Sequence, residues 1–242
     1  MKPHYKIPIE DCGDPLVAIP LNQFALATPH PYQALGAPYG ERSPYFLRKR
    51  VLEALRQAQW LLQEQRPGWN IQIFDAYRPV SVQAFMVQHT FQTLLTEQGL
   101  EAANLDEAQR QALLEEVYRF WASPSLDLAT PPPHSTGAAV DVTLIDSLGK
   151  VVDMGSPIDE VSPRSHPNHY WDNPDSIAQT WHQHRQLLNS VMHQAGFRRH
   201  PNEWWHFSLG DQLWAWMKQQ ETGEAISAFY GRWFEATATG SE

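Results

Sequence analysis

Cysteine is nearly absent. Cys12 is the one thiol in 242 residues, so no disulfide can form within the chain. No histidine-rich motif surrounds it, and it reads as an inert thiol rather than a nucleophile. Long apolar runs are missing too: none approaches the ~18–20 residues that span a bilayer. The opening residues, Met1-Lys-Pro-His-Tyr-Lys-Ile-Pro-Ile-Glu10, lack the apolar stretch of a signal peptide. A cytoplasmic protein without a membrane partner is the expectation. Dense basic runs are also lacking. The nearest is Arg48-Lys49-Arg50, in a chain of net charge −9 with 18 basic and 27 acidic residues. Nucleic-acid binding draws mostly on neutralised phosphates, so that class of partner is excluded. There is no internal repeat and no long low-complexity segment.

What remains is a globular composition. Hydrophobic residues make up 42% and charged residues 19%, enough apolar material for a buried core. Ten tryptophans suit a core and a pocket wall. The expected organisation is one domain over residues 1–242. Residues 1–40, rich in proline and poor in periodicity, form an extended arm around it. Ser43-Pro44 predicts a cap and first turn for a helix carrying Leu47, Val51, Leu55 and Leu62, stopped at Arg66-Pro67-Gly68. Ile71 and Ile73 predict a strand ending at Asp75, and a helix follows from Ser81 to Glu97. Asn104 with Glu107 resembles a capping box for the next helix. Pro131-Pro-Pro133 predicts a rigid loop before His134. Residues 139–145 alternate as a strand, turning at Asp146-Ser-Leu-Gly149 into a return strand at Val151-Val152. A long helix opening at Asn173-Pro174, a pair of strands between Phe197 and Leu209, and a helix after Asp211 complete the chain. The pattern is α+β, with a central antiparallel sheet and packed helices.

Three segments carry chemistry. His134-Ser-Thr-Gly-Ala-Ala-Val-Asp141 and Glu203-Trp-Trp-His206 offer two imidazoles and a carboxylate. Three protein ligands leave a metal with an open position, the mark of a catalytic rather than a structural site. Glu203 is a spare carboxylate, and Arg78 in Asp75-Ala-Tyr-Arg-Pro79 a spare guanidinium. Asp141 interrupts an apolar strand, a burial that calls for a cation. Residues three apart face opposite ways on a strand, so Glu203 and His206 share a site only if Glu203 lies at the start of the strand or beside a bulge. Plainer readings stay open on spacing alone. The second segment can be a core strand with an exposed Glu203, and Asp75–Arg78 a surface ion pair. His166, His169, His182 and His184 are weaker candidates.

Together these segments resemble the two signatures and the Asp-Gly-Tyr-Arg-Pro stretch of the VanX-type D-alanyl-D-alanine dipeptidases, within the zinc D-Ala-D-Ala carboxypeptidase and Hedgehog-like superfamily. Asp153-Met-Gly-Ser-Pro-Ile-Asp159 and Arg164-Ser-His166 resemble the segment after the first signature. The resemblance runs in order from about residue 45 to 209. It implies the superfamily's zinc fold and one Zn2+ per chain held by His134, Asp141 and His206. It implies Glu203 as general base and acid, and Arg78 as stabiliser of the oxyanion. Asp159 would receive the ammonium of a small dipeptide substrate. Two departures stand out. Pro132-Pro133 replace a serine common before the first histidine, and the family's N-terminal tyrosine has no clear counterpart among Phe24, Tyr32 and Tyr39. The implied activity is hydrolysis of D-Ala-D-Ala. The alternatives are a D,D-carboxypeptidase or L,D-peptidase acting on longer cell-wall peptides, and a non-enzymatic Hedgehog-like zinc module. Physiological role and oligomeric state are not legible in the sequence.

Overall fold

The computed structural model of the protein describes residues 2–234; Met1 and the end of the expected 1–242 domain lie outside the described residues. In chain order the elements are β1 (Leu16–Ala18), β2 (Ala25–Leu26), α1 (Pro31–Ala34), β3 (Phe46–Arg48), α2 (Lys49–Gln65), β4 (Asn70–Asp75), α3 (Val80–Glu97) and α4 (Glu107–Phe120). Then follow β5 (Ala139–Ile145), α5 (Ser176–Gln194), β6 (Arg198–Arg199), β7 (His206–Ser208) and α6 (Gln212–Thr222). Short 3₁₀ turns occupy Pro3–Lys6 and Pro133–Thr136, among others. The α+β class expected from the sequence is observed. No helix among the described residues is long and apolar enough to cross a membrane.

The main sheet has five strands in the order β2-β4-β5-β7-β6. It is not wholly antiparallel: β2 runs parallel to β4 at its edge, with Ala25 opposite Gln72. The other pairings are antiparallel. β2 has two residues inside the proline-rich arm, too short to show periodicity, so the arm's place in the sheet is not legible in the sequence. A second sheet pairs β1 with β3.

One face of the sheet supports the core. Ile71, Ile73, Val140, Val142 and Phe207 are fully buried against Val51, Leu55, Leu62 of α2 and Leu188, Val191 of α5. Each such side chain contributes about 1.5–3 kcal/mol of apolar burial. A second cluster joins α3 and α4 through Val82, Phe91, Leu113 and Val117, with Tyr32, Tyr39 and Trp121.

Several helix starts differ from expectation. Ser43-Pro44 does not open α2. Ser43 Oγ accepts from Tyr45 N at 3.1 Å, and residues 46–48 pair with β1. The cap for α2 is supplied by tertiary contact: Asp14 Oδ2, from the arm, accepts from Arg50 N at 2.9 Å. In α4 the capping box is Asp106 with Gln109, each side chain bonding the other's backbone N–H, two residues beyond Asn104. Asp175 caps α5 through Ile177 N at 2.7 Å. The return strand after Gly149 is reduced to one bridge, Ile145–Val151, because β7 already occupies one edge of β5 and β4 the other.

Candidate active site

Three strands carry the site residues side by side. In the β5–β7 register Asp141 lies opposite His206 and Val140 opposite Phe207. Alternation sends Val140 and Val142 to the core and Asp141 to the other face. On the far side, Ile73 pairs with Val142 but Asp75 pairs with Asp141. The extra residue, Phe74, is a bulge, and it turns Asp75 onto the same face as Asp141. His134 arrives from the turn Pro133–Thr136. Gly137 then takes φ 71°, and a Cβ there would meet Leu16 Cδ1 at 2.3 Å. The left-handed backbone favours glycine, and any Cβ would require the end of the Leu16 side chain to turn aside.

His134, Asp141 and His206 converge, with one ligand atom from each lying within 4.8 Å of the others. His134 Nε2 is 3.2 Å from Asp141 Oδ2, His206 Nδ1 is 3.1 Å from Asp141 Oδ1, and the two ring nitrogens are 3.1 Å apart. The outer nitrogens set the tautomers. His134 Nδ1 faces the Ala76 carbonyl at 2.7 Å and must donate to it. His206 Nε2 faces Ser208 Oγ at 3.2 Å, and that hydroxyl gives its own proton to Asp211 Oδ2 at 2.7 Å. Both inward nitrogens are then lone-pair donors. Asp141 Oδ1 is buried and lacks a hydrogen-bond partner. Three converging acceptors with no proton between them repel unless a cation joins them. Two imidazoles and a carboxylate, each oriented from behind, suit zinc. Burial also lowers the pKa of His206, which favours the neutral ligand form.

Glu203 lies in the turn ahead of β7, as its spacing from His206 required. It is buried, with Oε2 3.7 Å from His206 Nδ1 and Oε1 3.5 Å from His200 Nδ1. Burial, then the Asp141 charge, push its pKa well above the usual carboxylate value. The turn is pinned by the tryptophans: Trp204 and Trp205 are buried and packed edge to face, and Trp204 Nε1 donates to Ser156 Oγ at 3.0 Å.

Arg78 is neither spare nor at the surface. Its Nε donates to Asp75 Oδ2 at 2.8 Å, Nη1 to Gln83 Oε1 at 2.9 Å, and Nη2 to Tyr32 Oη at 3.1 Å and Asp141 Oδ2 at 3.2 Å. The rings of Tyr32 and Trp121 lie 4.8 and 5.0 Å from its carbon. Asp75 is itself buried and accepts from Tyr39 Oη and pairs with His30 Nε2, both at 3.1 Å. The surface ion pair is thereby excluded, and the guanidinium is fixed at the edge of the three-residue cluster.

Asp159 reaches the same cavity on the loop after β5. Arg185, wholly buried, holds that loop by donating to the carbonyls of Met154 at 2.7 Å and His166 at 3.0 Å. Asp159 has φ 66°, the one positive value among described non-glycine residues, and backbone held so is common at functional sites. Tyr32 Oη donates to its Oδ2 at 2.8 Å. Burial, then the Asp141 charge, push its pKa up to about 7.

The cavity is lined by Arg78, His134, Asp141, Asp159, Glu203 and His206 among others. Tyr32, Lys2, His4 and His200 were not singled out from the sequence as part of this region. Nothing local to Tyr32 in the sequence signals its contact with Asp159, 127 residues away. His166, His169, His182 and His184 stay outside the cavity lining.

The chain has relatives among known proteins. Residues 25–225 match the profile of the peptidase M15 family described as D-ala-D-ala dipeptidase. The D-alanyl-D-alanine dipeptidase of Synechocystis sp. is 49% identical over 239 residues, covering 96% of this chain and 97% of that protein. That of Escherichia coli is 32% identical over 145 residues, covering 60% of this chain and 58% of the other. That of Enterococcus faecalis is 29% identical, covering 68% and 73%. With the profile and the first of these relatives both spanning most of its length, the chain belongs to the M15 family of D-Ala-D-Ala dipeptidases.

Proposed function

We propose that the protein hydrolyses D-alanyl-D-alanine, and D,D-dipeptides like it, to free amino acids, with His134, Asp141 and His206 holding one zinc ion. The observation that carries the reading is the convergence of three proton-free acceptors, one an orphaned buried oxygen, beside a buried second carboxylate. When bound, zinc supplies Lewis acidity toward the scissile carbonyl and brings the pKa of water down toward about 7.

The chain's own groups account for the rest. Glu203 takes the proton from the attacking water and returns it to the leaving amine. Burial and the Asp141 charge raise its affinity for that proton, which suits the second half of the task. Arg78 offers its fixed guanidinium to the developing oxyanion. Groups oriented before the reaction cost no reorganisation during it, and one such donor is worth roughly 3 kcal/mol in other hydrolases. Tyr32 and Arg78 orient Asp159, which receives the substrate's ammonium. A carboxylate at the amine end favours a free dipeptide over a longer stem peptide, whose chain continues past that nitrogen. A dipeptide derived from cell-wall chemistry and a cytoplasmic location belong to the same reading; activity recovered in the soluble cytosolic fraction supports them, and activity outside the cell contradicts them.

The metal assignment is tested by elemental analysis. The wild type should hold about one zinc per chain, set by one three-ligand cluster. His206→Ala should lose most of it, and full occupancy in that variant would sink the assignment.

A further inference from the structure

One cation in the cavity has no part in the chemistry above. Lys2 lines the wall beside His4, Trp121 and Glu203. Its Nζ donates to the Trp121 carbonyl at 3.3 Å. An ammonium has three protons, so this bond leaves capacity for another acceptor. The segment that delivers it is anchored by its backbone and packing. Ile7 is buried with Ala215 and Ala228, and Gln212 Nε2 donates to the Ile7 carbonyl at 2.7 Å. Ala228 N donates to Pro8 O at 2.9 Å, and Glu10 N to Ala228 O at 2.8 Å. Lys2 therefore enters the site from a fixed strap.

The other basic residues of the wall are already committed. Arg78 is held by Asp75 and Asp141. His134 and His206 turn lone pairs inward. Burial, with Lys2 next, pulls His4 down to about 4, and burial, with His206 next, holds His200 well below its usual value; neither is a cation at neutral pH. Pro133, also in the wall, has no N–H or hydroxyl to offer. A D,D-dipeptide nevertheless brings a carboxylate into this space. It sits on the leaving residue, one Cα away from the nitrogen that Glu203 protonates. The receptor for that carboxylate must therefore lie toward Glu203, and Lys2 lines the same cavity; burial lowers its pKa, and the Glu203 charge opposes that shift.

We infer that Lys2 binds the substrate's terminal carboxylate, so that the N-terminal strap completes the pocket at the leaving-group end. The inference rests on the dipeptidase reading and names the receptor that reading leaves open.

Steady-state kinetics of the full chain, tagged only at its C-terminus, on D-Ala-D-Ala and on D-alanyl-D-alaninamide test it. The amide lacks the carboxylate charge and keeps the scissile bond. Lys2→Met should raise KM for D-Ala-D-Ala about tenfold or more, the scale of a lost charge-assisted hydrogen bond, with kcat changed much less. Turnover of the amide should be the same in Lys2→Met as in the wild type, and Lys2→Arg should recover most of the affinity for the acid. Equal losses on acid and amide would reduce Lys2 to a structural role and overturn the inference, as would no loss on either. A wild type that cleaves neither substrate overturns the dipeptidase reading, and this inference with it.

Discussion

Glu203 and Asp159 show how one cavity gives two carboxylates different work. Glu203 sits against His206 and His200, and burial keeps its affinity for a proton high. Glu203→Gln preserves shape and all three proposed ligands. It should retain zinc by elemental analysis yet lose about 10²-fold or more in kcat, the scale of a general base. Near-normal turnover in that variant would remove Glu203 from the mechanism. Asp159 makes its contribution through charge. Its pKa near 7 means the carboxyl takes up a proton as pH falls below that value, and the neutral form loses its attraction for an ammonium. Binding of D-Ala-D-Ala to the Glu203→Gln protein, measured by calorimetry, should therefore weaken as pH drops from about 8 to 6. Adding Asp159→Asn should flatten that dependence. An unchanged pH profile in the double variant would place the ammonium elsewhere.

At the scale of elements, the sequence was most legible where periodicity was long. β4, β5, α3, α5 and α6 lie close to where alternation, helical spacing and the stops at Gly99 and Gly196 put them. It was least legible where a distant segment decided. The start of α2 was misplaced because its cap comes from Asp14 and because β1 recruits residues 46–48 into a strand. The edge strand β2 draws its conformation from β4 rather than from its own two residues. The junction between the first ligand and β5 was legible in Gly137, whose need for positive φ and for space beside Leu16 the structure makes explicit. Gly137→Ala should cost about 1–3 kcal/mol from backbone strain. Urea denaturation measures that loss. Because the same turn positions His134, zinc retention should fall in step. A variant of wild-type stability would show that the turn relaxes freely.

Across the whole molecule, the cluster of His134, Asp141, His206, Glu203 and Arg78 was legible because each member lies in a short segment with its own chemistry. Tyr32 and Lys2 were not, because the arm that carries them has no pattern and meets the site only after folding. The arm is thus more than a wrapping: it adds β2 to the sheet, caps α2 through Asp14, hydrogen-bonds Asp159 through Tyr32 and lines the cavity through Lys2.

The central claim is zinc-dependent hydrolysis of a free D,D-dipeptide. It is tested most directly by D-Ala release from D-Ala-D-Ala and from N-acetyl-D-Ala-D-Ala, with zinc-loaded and metal-stripped protein side by side. Acetylation removes the charge that Asp159 receives, a contact worth roughly 1.5–3 kcal/mol. The account predicts that the loaded protein cleaves the free dipeptide, with kcat/KM for the acetylated one lower by about tenfold or more. It also predicts that the stripped protein is inactive until zinc is restored. Equal cleavage of both substrates, or full activity without metal, would contradict it.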